Sequence, residues 1–216
     1  MRIVVVGGHG KVALLLAPLL TSRGDEVSAV IRNPDHATDV AASGATPVLA
    51  DVETLDTGAI AALLAGHDAV VWSAGAGGGN PERTRAVDRD AAIRTVDAAA
   101  AAGVPRFVMV SYFRSRPDHG VPADKPFFHY AEAKTAADEH LRNSGLDWTI
   151  LGPSTLTLDP PTGRIEVGGT PGRVARADVA AVVAEVLHRR ETAGRTIRFN
   201  AGSTPIPDAL GALPRS

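Results

Sequence analysis

Short apolar runs alternate with stretches of helical periodicity along most of this 216-residue chain. The runs are rich in valine and isoleucine, as in strands buried on both faces of a parallel sheet. Strands are predicted at residues 3–6, 27–31, 46–50, 69–73 and 106–111, and helices at about 10–20, 34–43, 57–64, 82–102 and 127–143. The alternation predicts an α/β fold, in which one domain contains a Rossmann-like doubly wound parallel sheet with strand order 3-2-1-4-5-6.

The first predicted turn carries a pattern typical of phosphate binding. In MRIVVVGGHGKVA, the residues Gly7, Gly10 and Ala13 follow the spacing G-x-x-G-x-x-A between the first strand and the first helix. Gly7 would allow a tight turn, Gly10 the close approach of a pyrophosphate, and Ala13 close packing of the helix on the strand. A helix that begins at such a turn points its free N–H groups at a phosphate. The stretch therefore predicts dinucleotide binding.

The end of the second strand indicates which dinucleotide is preferred. In this fold the residue at that position faces the adenosine ribose, where a carboxylate accepts from a 2′-hydroxyl and an arginine accommodates a 2′-phosphate. Arg32 ends the strand, whereas Asp25 and Glu26 precede it and lie at its other end. We therefore predict NADP(H) as the preferred cofactor, with NAD(H) possible.

A second glycine-rich segment, residues 74–79, follows the fourth predicted strand. It begins at the carboxyl end of a strand, where open α/β sheets bind ligands. Ala74 and Gly75 lie directly at the strand end and are predicted to contact the ligand. For residues 77–79, a loop without ligand contact is an equal alternative.

Three further side chains suit proton transfer. Tyr130 and Lys134 are four residues apart in the predicted helix and therefore share one face. A phenol with a pKa of about 10 is a poor acid–base group at neutral pH, and a neighbouring ammonium would lower that pKa. Ser111, which ends the fifth strand, would hold a substrate carbonyl oxygen for protonation. By itself, the Tyr–Lys spacing also fits an ordinary surface helix.

Together, the glycine pattern, the serine at the end of strand five and the Y-x-x-x-K pair resemble the short-chain dehydrogenase/reductase superfamily. The likeness is greater to its atypical, small NAD(P)-binding members, which include flavin and biliverdin reductase-like proteins, quinone reductase-like proteins and NADP-sensing regulators. Residues 87–111, 144–157 and 174–187 match the same group, so the resemblance covers nearly the whole chain.

The resemblance implies a role for each matching residue. It implies cofactor contacts at the pyrophosphate (Gly7, His9, Gly10, Lys11, Val12), the 2′-phosphate (Arg32), the adenine (Asp51, Val52) and the ribose (Ala74, Gly75), with Pro153 as a further contact. Tyr130 is implied as the proton donor or acceptor, and Lys134 as the residue that binds the nicotinamide ribose and tunes Tyr130. Ser111 is implied to orient the substrate oxygen.

Two positions depart from the family pattern. Gly152 stands where the family usually has an arginine before the proline, so a charged contact near the site is missing. Asp88 stands where active members often have an asparagine, which puts a proton relay in doubt.

The end of the chain is predicted to add a strand at 164–167, a helix at 176–189 and a strand at 196–199. We expect residues 1–153 to form the dinucleotide-binding core. Residues 154–216 would then form a small substrate-side region that is not an independent domain.

The composition limits the classes of molecule that this protein is expected to bind. The net charge is −2, there is no cysteine, and no apolar run approaches the roughly 18 residues that span a membrane. The seven histidines show no metal-ligand spacing. We therefore expect a cytoplasmic monomer or homodimer that binds a small-molecule substrate, no metal, no nucleic acid and no membrane.

The function predicted from these features is that of an NADP(H)-dependent oxidoreductase. It would transfer hydride to a small carbonyl, quinone or flavin-like substrate, with Tyr130 as the acid–base group. One alternative is a catalytically silent NADP(H)-binding redox sensor. Another is an epimerase/dehydratase-like enzyme, against which the short C-terminal region counts.

Overall fold

The computed structural model describes residues 1–77 and 80–214, and its centre is a nine-stranded, mostly parallel sheet. The strands are β1 (Arg2–Val6), β2 (Glu26–Ile31), β3 (Thr46–Leu49), β4 (Ala69–Trp72), β5 (Arg106–Val110), β6 (Asp147–Pro153), β7 (Thr155–Thr157), β8 (Arg164–Val167), β9 (Arg173–Ala175), β10 (Arg195–Ala201) and β11 (Thr204–Pro205). Their order in the sheet is β3-β2-β1-β4-β5-β6-β10-β8-β11, and β7 and β9 form a separate parallel pair.

Helices cover both faces of the sheet. They are α1 (Lys11–Thr21), α2 (Ala37–Ala42), α3 (Thr57–Leu64), α4 (Pro81–Thr84), α5 (Ala92–Ala101), α6 (Phe128–Arg142), α7 (Arg176–Leu187) and α8 (Ile206–Gly211). Short 3₁₀ turns lie at Pro34–His36 and Arg190–Thr192, and a π-helical segment, Arg85–Ala91, joins α4 to α5. The long helix predicted at 82–102 is therefore continuous, with α-helical ends and a π-helical segment in its middle.

The predicted fold class and strand order are confirmed. Strand β1 pairs in parallel with β2 on one side and β4 on the other, so it lies in the middle of the sheet. Beyond β6, the predicted strand at 196–199 is β10, which adds in parallel to β6, and the predicted strand at 164–167 is β8, which with β11 completes the edge in antiparallel orientation. The part of the chain after residue 153 thus continues the same sheet. Its separation into a substrate-side region stays a prediction, and residues 215–216 lie outside the described part.

The apolar run of β1 is explained by two cores, one on each face of the sheet. Ile3 and Val5 pack with α1 and α7, whereas Val4 and Val6 face the cluster formed with α3, α5 and α6. All four side chains are buried. Because alternate residues of a strand point to opposite faces, burial on both faces requires an unbroken apolar run.

The doubly wound order places a crevice beside the carboxyl ends of β1 and β4, where the sheet changes winding direction and such folds bind ligands. The loops that follow β1, β2, β4 and β5 all end there, so residues distant in sequence meet at one edge of the sheet. Within residues 1–77 and 80–214, no helix is long and apolar enough to cross a membrane.

Candidate functional site

The turn after β1 can be built only with glycine. Gly7 has a φ of 87°, and a Cβ on it would lie 2.6 Å from the Cα of Ala74. A Cβ on Gly8 would lie 2.6 Å from the Cβ of Ala29. The N–H of Gly10 donates to the carbonyl of Gly7 at 2.8 Å, which closes the turn. The backbone is thereby drawn against β2 and β4.

The turn leads into an open helix N-terminus. Gly10 is the extended N-cap of α1 and offers no side-chain cap, and the first turn of α1 contains no acidic residue. The first N–H groups of a helix have no intrahelical acceptor and carry partial positive charge. This arrangement suits a phosphate, as predicted from the glycine spacing.

A cleft of about 350 Å³ surrounds this turn at the ends of β1, β2 and β4. It brings together eight of the residues predicted to bind the cofactor: Gly7, His9, Gly10, Arg32, Asp51, Val52, Ala74 and Gly75. Sequence reasoning missed three charged or titratable neighbours in the same cleft, which are His36, Glu53 and Arg83. Arg83 comes from the helix that follows the glycine-rich segment, so only the fold shows that it is near Arg32.

Glu53 lies between two arginines. Its Oε2 is 3.7 Å from Nη1 of Arg32 and 3.6 Å from Nε of Arg83. Nearby, the rings of His9 and His36 stack with their centroids 3.6 Å apart. The cleft therefore has two guanidinium groups at the end of β2, with a carboxylate that competes with any anion for them.

A second cleft of about 850 Å³ adjoins the first, and Ser73, Ala74 and Gly75 line both. Besides Ala74 and Gly75, four further predicted site residues line this second cleft: Val12, Ser111, Tyr130 and Lys134. A groove thus runs from the end of β2, past the glycine turn, to the end of β5.

Not every predicted residue lies on the groove. Lys11 is exposed at the start of α1, and Pro153 is buried at the end of β6. Neither is among the described residues that line the two clefts. Gly77 lines the larger cleft, whereas Gly78 and Gly79, the remainder of the predicted glycine segment, lie outside the described residues.

The environment of Tyr130 differs from the expectation that Lys134 lowers its pKa. Burial of the phenol raises the pKa of Tyr130, and the carboxyl groups of Asp88 and Asp138 raise it further. The ring packs at 5.1 Å from Phe127 and 5.6 Å from Tyr112, centroid to centroid. The expected direction was wrong because desolvation and negative charge both disfavour the phenolate.

Lys134 is held in place by backbone and sulfur. Its side chain is 1% exposed, and Nζ donates to the carbonyl of Val110 at 2.9 Å and to Sδ of Met109 at 3.9 Å. An ammonium has three donors. In the described part of the chain these two acceptors leave one N–H for a ligand in the cleft that Lys134 lines.

Ser111 is joined to a carboxyl that the sequence analysis overlooked. Its Oγ donates to Oδ2 of Asp138 at 2.6 Å, and Oγ of Ser115 donates to the same oxygen. Asp138 is fully buried, and burial raises its pKa although Lys134 opposes the shift. The overlooked evidence was periodicity, because Asp138 follows Lys134 by four residues on the same helix face.

The two departures from the family pattern also have structural consequences. A Cβ on Gly152 would lie 3.1 Å from Cγ of Arg198, which crosses from the adjacent β10 and donates from Nε to the carbonyl of Phe113 at 2.9 Å. Glycine thus makes room for an arginine from the next strand, which anchors the loop after β5. Asp88 lines the larger cleft and is 1% exposed.

Comparisons with known proteins agree with this geometry. A family model described as NAD(P)H-binding matches residues 7–190. An uncharacterized sugar epimerase of Bacillus subtilis is 34% identical over 218 residues, covering 99% of this chain and 100% of that protein.

Two solved structures are similar over nearly their whole length. A Bacillus halodurans protein with the provisional name of NAD-dependent epimerase/dehydratase is 34% identical, covers 99% of this chain and 100% of its own, and has a TM-score of 0.91. An oxidoreductase from Lactococcus lactis is 29% identical, with coverage of 99% and 96% and a TM-score of 0.89. With a glycine turn, an open helix N-terminus and a continuous groove in place, the chain belongs to the NAD(P)H-binding family of Rossmann-fold proteins, in the atypical short-chain dehydrogenase/reductase group.

Proposed function

We propose that the chain is an NADP(H)-dependent oxidoreductase that reduces a small carbonyl, quinone or flavin-like compound. The observation that carries the proposal is that Ser111, Tyr130 and Lys134 line one cleft, which continues directly from the groove around the glycine turn. The bound nicotinamide cofactor supplies the hydride, and the protein must hold the cofactor, orient the substrate and deliver a proton.

The cofactor would be held by backbone and charge. The N-terminus of α1 and the glycine turn suit the pyrophosphate, Asp51 and Val52 the adenine, and Ala74 and Gly75 a ribose. The free N–H of Lys134 suits the second ribose. At the end of β2, Arg32 and Arg83 favour a 2′-phosphate, so we assign the preference to NADP(H).

Tyr130 would give its proton to the substrate oxygen. Because its pKa is raised, the group stays a neutral phenol at neutral pH, and a neutral phenol is a donor. This direction suits reduction, in which negative charge develops on the oxygen. Ser111 already donates its own proton to Asp138, so toward a substrate it would accept a hydrogen bond through its oxygen.

A second candidate is an epimerase/dehydratase-like enzyme, which the names of the Bacillus subtilis and Bacillus halodurans relatives favour. Such an enzyme uses the cofactor without net consumption, whereas a reductase consumes one NADPH for each product. A redox sensor would bind both forms of the cofactor and turn over neither.

Purified protein incubated with NADPH and a panel of small carbonyls, quinones and free flavin separates the three candidates. We expect substrate-dependent loss of NADPH with equal formation of reduced product. A parallel incubation with NADP⁺ and sugar nucleotides tests the epimerase, which would be favoured by conversion of a sugar nucleotide without net change in the cofactor. Binding of the cofactor without turnover on any compound would favour the sensor.

A further inference from the structure

Asp88 has a buried carboxyl group, and one of its two oxygens has no hydrogen-bond partner among the described residues. It lies in the π-helical segment Arg85–Ala91, a distortion found often at functional sites, and its Oδ2 accepts from the N–H of Ala76 at 3.0 Å. Among residues 1–77 and 80–214, no donor contacts Oδ1. A buried carboxylate oxygen without a hydrogen-bond partner costs free energy, so a native protein that keeps one needs a structural or functional reason for it.

The unpartnered oxygen of Asp88 lies where the two clefts meet. A Cβ added to Gly75 would be 3.1 Å from Oδ1, so this buried oxygen lies directly behind the backbone of Gly75 at the strand end. Gly75 lines both clefts, and Asp88 lines the larger one. If the adenosine end of the cofactor lies at Arg32 and its pyrophosphate at the glycine turn, the nicotinamide half would lie in the larger cleft, which Asp88 lines.

The charges around Asp88 come from two neighbouring elements. Lys134 and Tyr130 face it from α6, and Arg83 faces it from α4. His129 is a further titratable group on the wall of the same cleft. The ammonium of Lys134 is buried, and Asp88 is one of the carboxyl groups that balance its charge. Without Asp88, the nicotinamide end of the groove would be more positive.

The two redox forms of the cofactor differ at this end. The oxidised nicotinamide ring carries a positive charge that the reduced ring lacks, while the adenosine half, the pyrophosphate and the 2′-phosphate are the same. We propose that Asp88 sets the redox-form selectivity of this site, favouring NADP⁺ over NADPH by placing a carboxylate beside the nicotinamide half of the groove. The inference depends on cofactor binding and not on which reaction the protein catalyses.

The test is the ratio of the dissociation constants of NADPH and NADP⁺, measured by calorimetry for each variant. Asp88→Asn keeps an acceptor for Ala76 and removes the charge, so we expect NADP⁺ to weaken roughly tenfold relative to NADPH. The matched control is Asp90→Asn, in the same π-helical segment, where the carboxylate pairs with Arg89 at 2.6 Å. The control should leave the ratio unchanged.

A second variant should change the ratio of the two dissociation constants in the opposite direction. Lys134→Met removes the ammonium that balances the charge of Asp88. The affinity for NADP⁺ should therefore rise relative to that for NADPH, even though both forms lose the lysine contact. The wild-type protein provides a third measurement. Burial raises the pKa of Asp88 while Lys134 opposes the shift, so the preference for NADP⁺ should decline as pH falls through the folded-state pKa of Asp88. In Asp88→Asn that decline should be absent.

Several results would overturn the inference. They are an equal change of ratio in Asp88→Asn and Asp90→Asn, an unchanged ratio in Asp88→Asn, or the same direction of change in Asp88→Asn and Lys134→Met. A protein that shows the expected ratios but reduces no compound would retain the inference and remove the proposed reductase function. The two failures are therefore distinguishable.

Discussion

The hydroxyl of Ser111 donates a 2.6 Å hydrogen bond to Oδ2 of Asp138. Asp138 is fully buried behind the cleft and also accepts from Ser115. Ser111 therefore faces the cleft with an oxygen whose proton is already committed elsewhere. In the proposed function, Ser111 would therefore accept a hydrogen bond and would not donate one, and Tyr130 would supply the proton.

Ser111 and Ser115 offer a matched pair, because both donate to Asp138 but only Ser111 lines the cleft. Each serine-to-alanine change removes one hydrogen bond to a buried carboxyl and should cost about 1–3 kcal/mol of unfolding free energy. Only Ser111→Ala should also reduce turnover. Urea unfolding and steady-state kinetics on the same preparations check this, and equal activity in both variants would assign Ser111 a purely structural role.

Tyr130→Phe removes one oxygen and keeps the ring, so we expect the fold and the affinity for NADPH to be preserved. Proton transfer typically contributes about 10²–10⁴-fold, and carbonyl reduction should fall by that order. Tyr112→Phe is the control, since its ring packs beside Tyr130 but does not line the cleft. A quinone can take its proton from water, so quinone reduction should be less affected. Full carbonyl reduction by Tyr130→Phe would contradict the role.

The buried carboxyl of Asp138 should make stability depend on pH. Its folded-state pKa is raised by burial, so the folded protein binds a proton more tightly than the unfolded chain does. The contribution of Asp138 to the free energy of unfolding is therefore fully present below about pH 3.9, the pKa of an aspartate in the unfolded chain. This contribution is lost as the pH rises through the pKa of Asp138 in the folded protein. Asp138→Asn should gain stability relative to wild type over that rise, as measured by denaturant unfolding at several pH values. A difference that does not change with pH would contradict the assignment.

Selectivity for NADP(H) should depend on Arg32 and Glu53 with opposite signs. Arg32→Ala should weaken NADPH by about 1.5–3 kcal/mol and leave NADH nearly unchanged, because only NADPH carries the 2′-phosphate. Glu53→Gln removes the carboxylate that lies 3.7 Å from Arg32, so NADPH should bind more tightly and NADH should change little. Titrations of both nucleotides decide it, and equal losses for the two in Arg32→Ala would make Arg32 structural.

Gly7 and Gly24 separate backbone strain from steric overlap. Both have positive φ values, 87° and 83°, but a Cβ on Gly24 meets nothing within 4 Å, whereas one on Gly7 lies 2.6 Å from Ala74. Alanine at either position should cost about 1–2 kcal/mol for the left-handed conformation. Gly7→Ala should cost about 1–3 kcal/mol more and weaken NADPH binding. Equal unfolding free energies for the two variants would show that the turn can relax.

The sequence alone determined the fold class and the strand order. This was possible because both depend on local patterns: apolar runs buried on two faces, helical periodicity and glycine turns. The same local patterns brought out residues that line the smaller cleft, since Gly7 and Arg32 directly follow strands and Gly10 caps the first helix. The strand at 164–167 was predicted and is β8, but its antiparallel pairing and the two-residue strand β11 were not, because short edge strands carry a weak pattern.

Only the tertiary structure decided the electrostatics of the site. Spacing placed Tyr130 and Lys134 on one helix face, but the pKa of Tyr130 is raised first by burial of the phenol and then by Asp88, 42 positions away. The pairing of Ser111 with Asp138 and of Arg32 with Glu53 likewise joins different elements. Desolvation and charge act through space, so their balance appears only once the chain is folded.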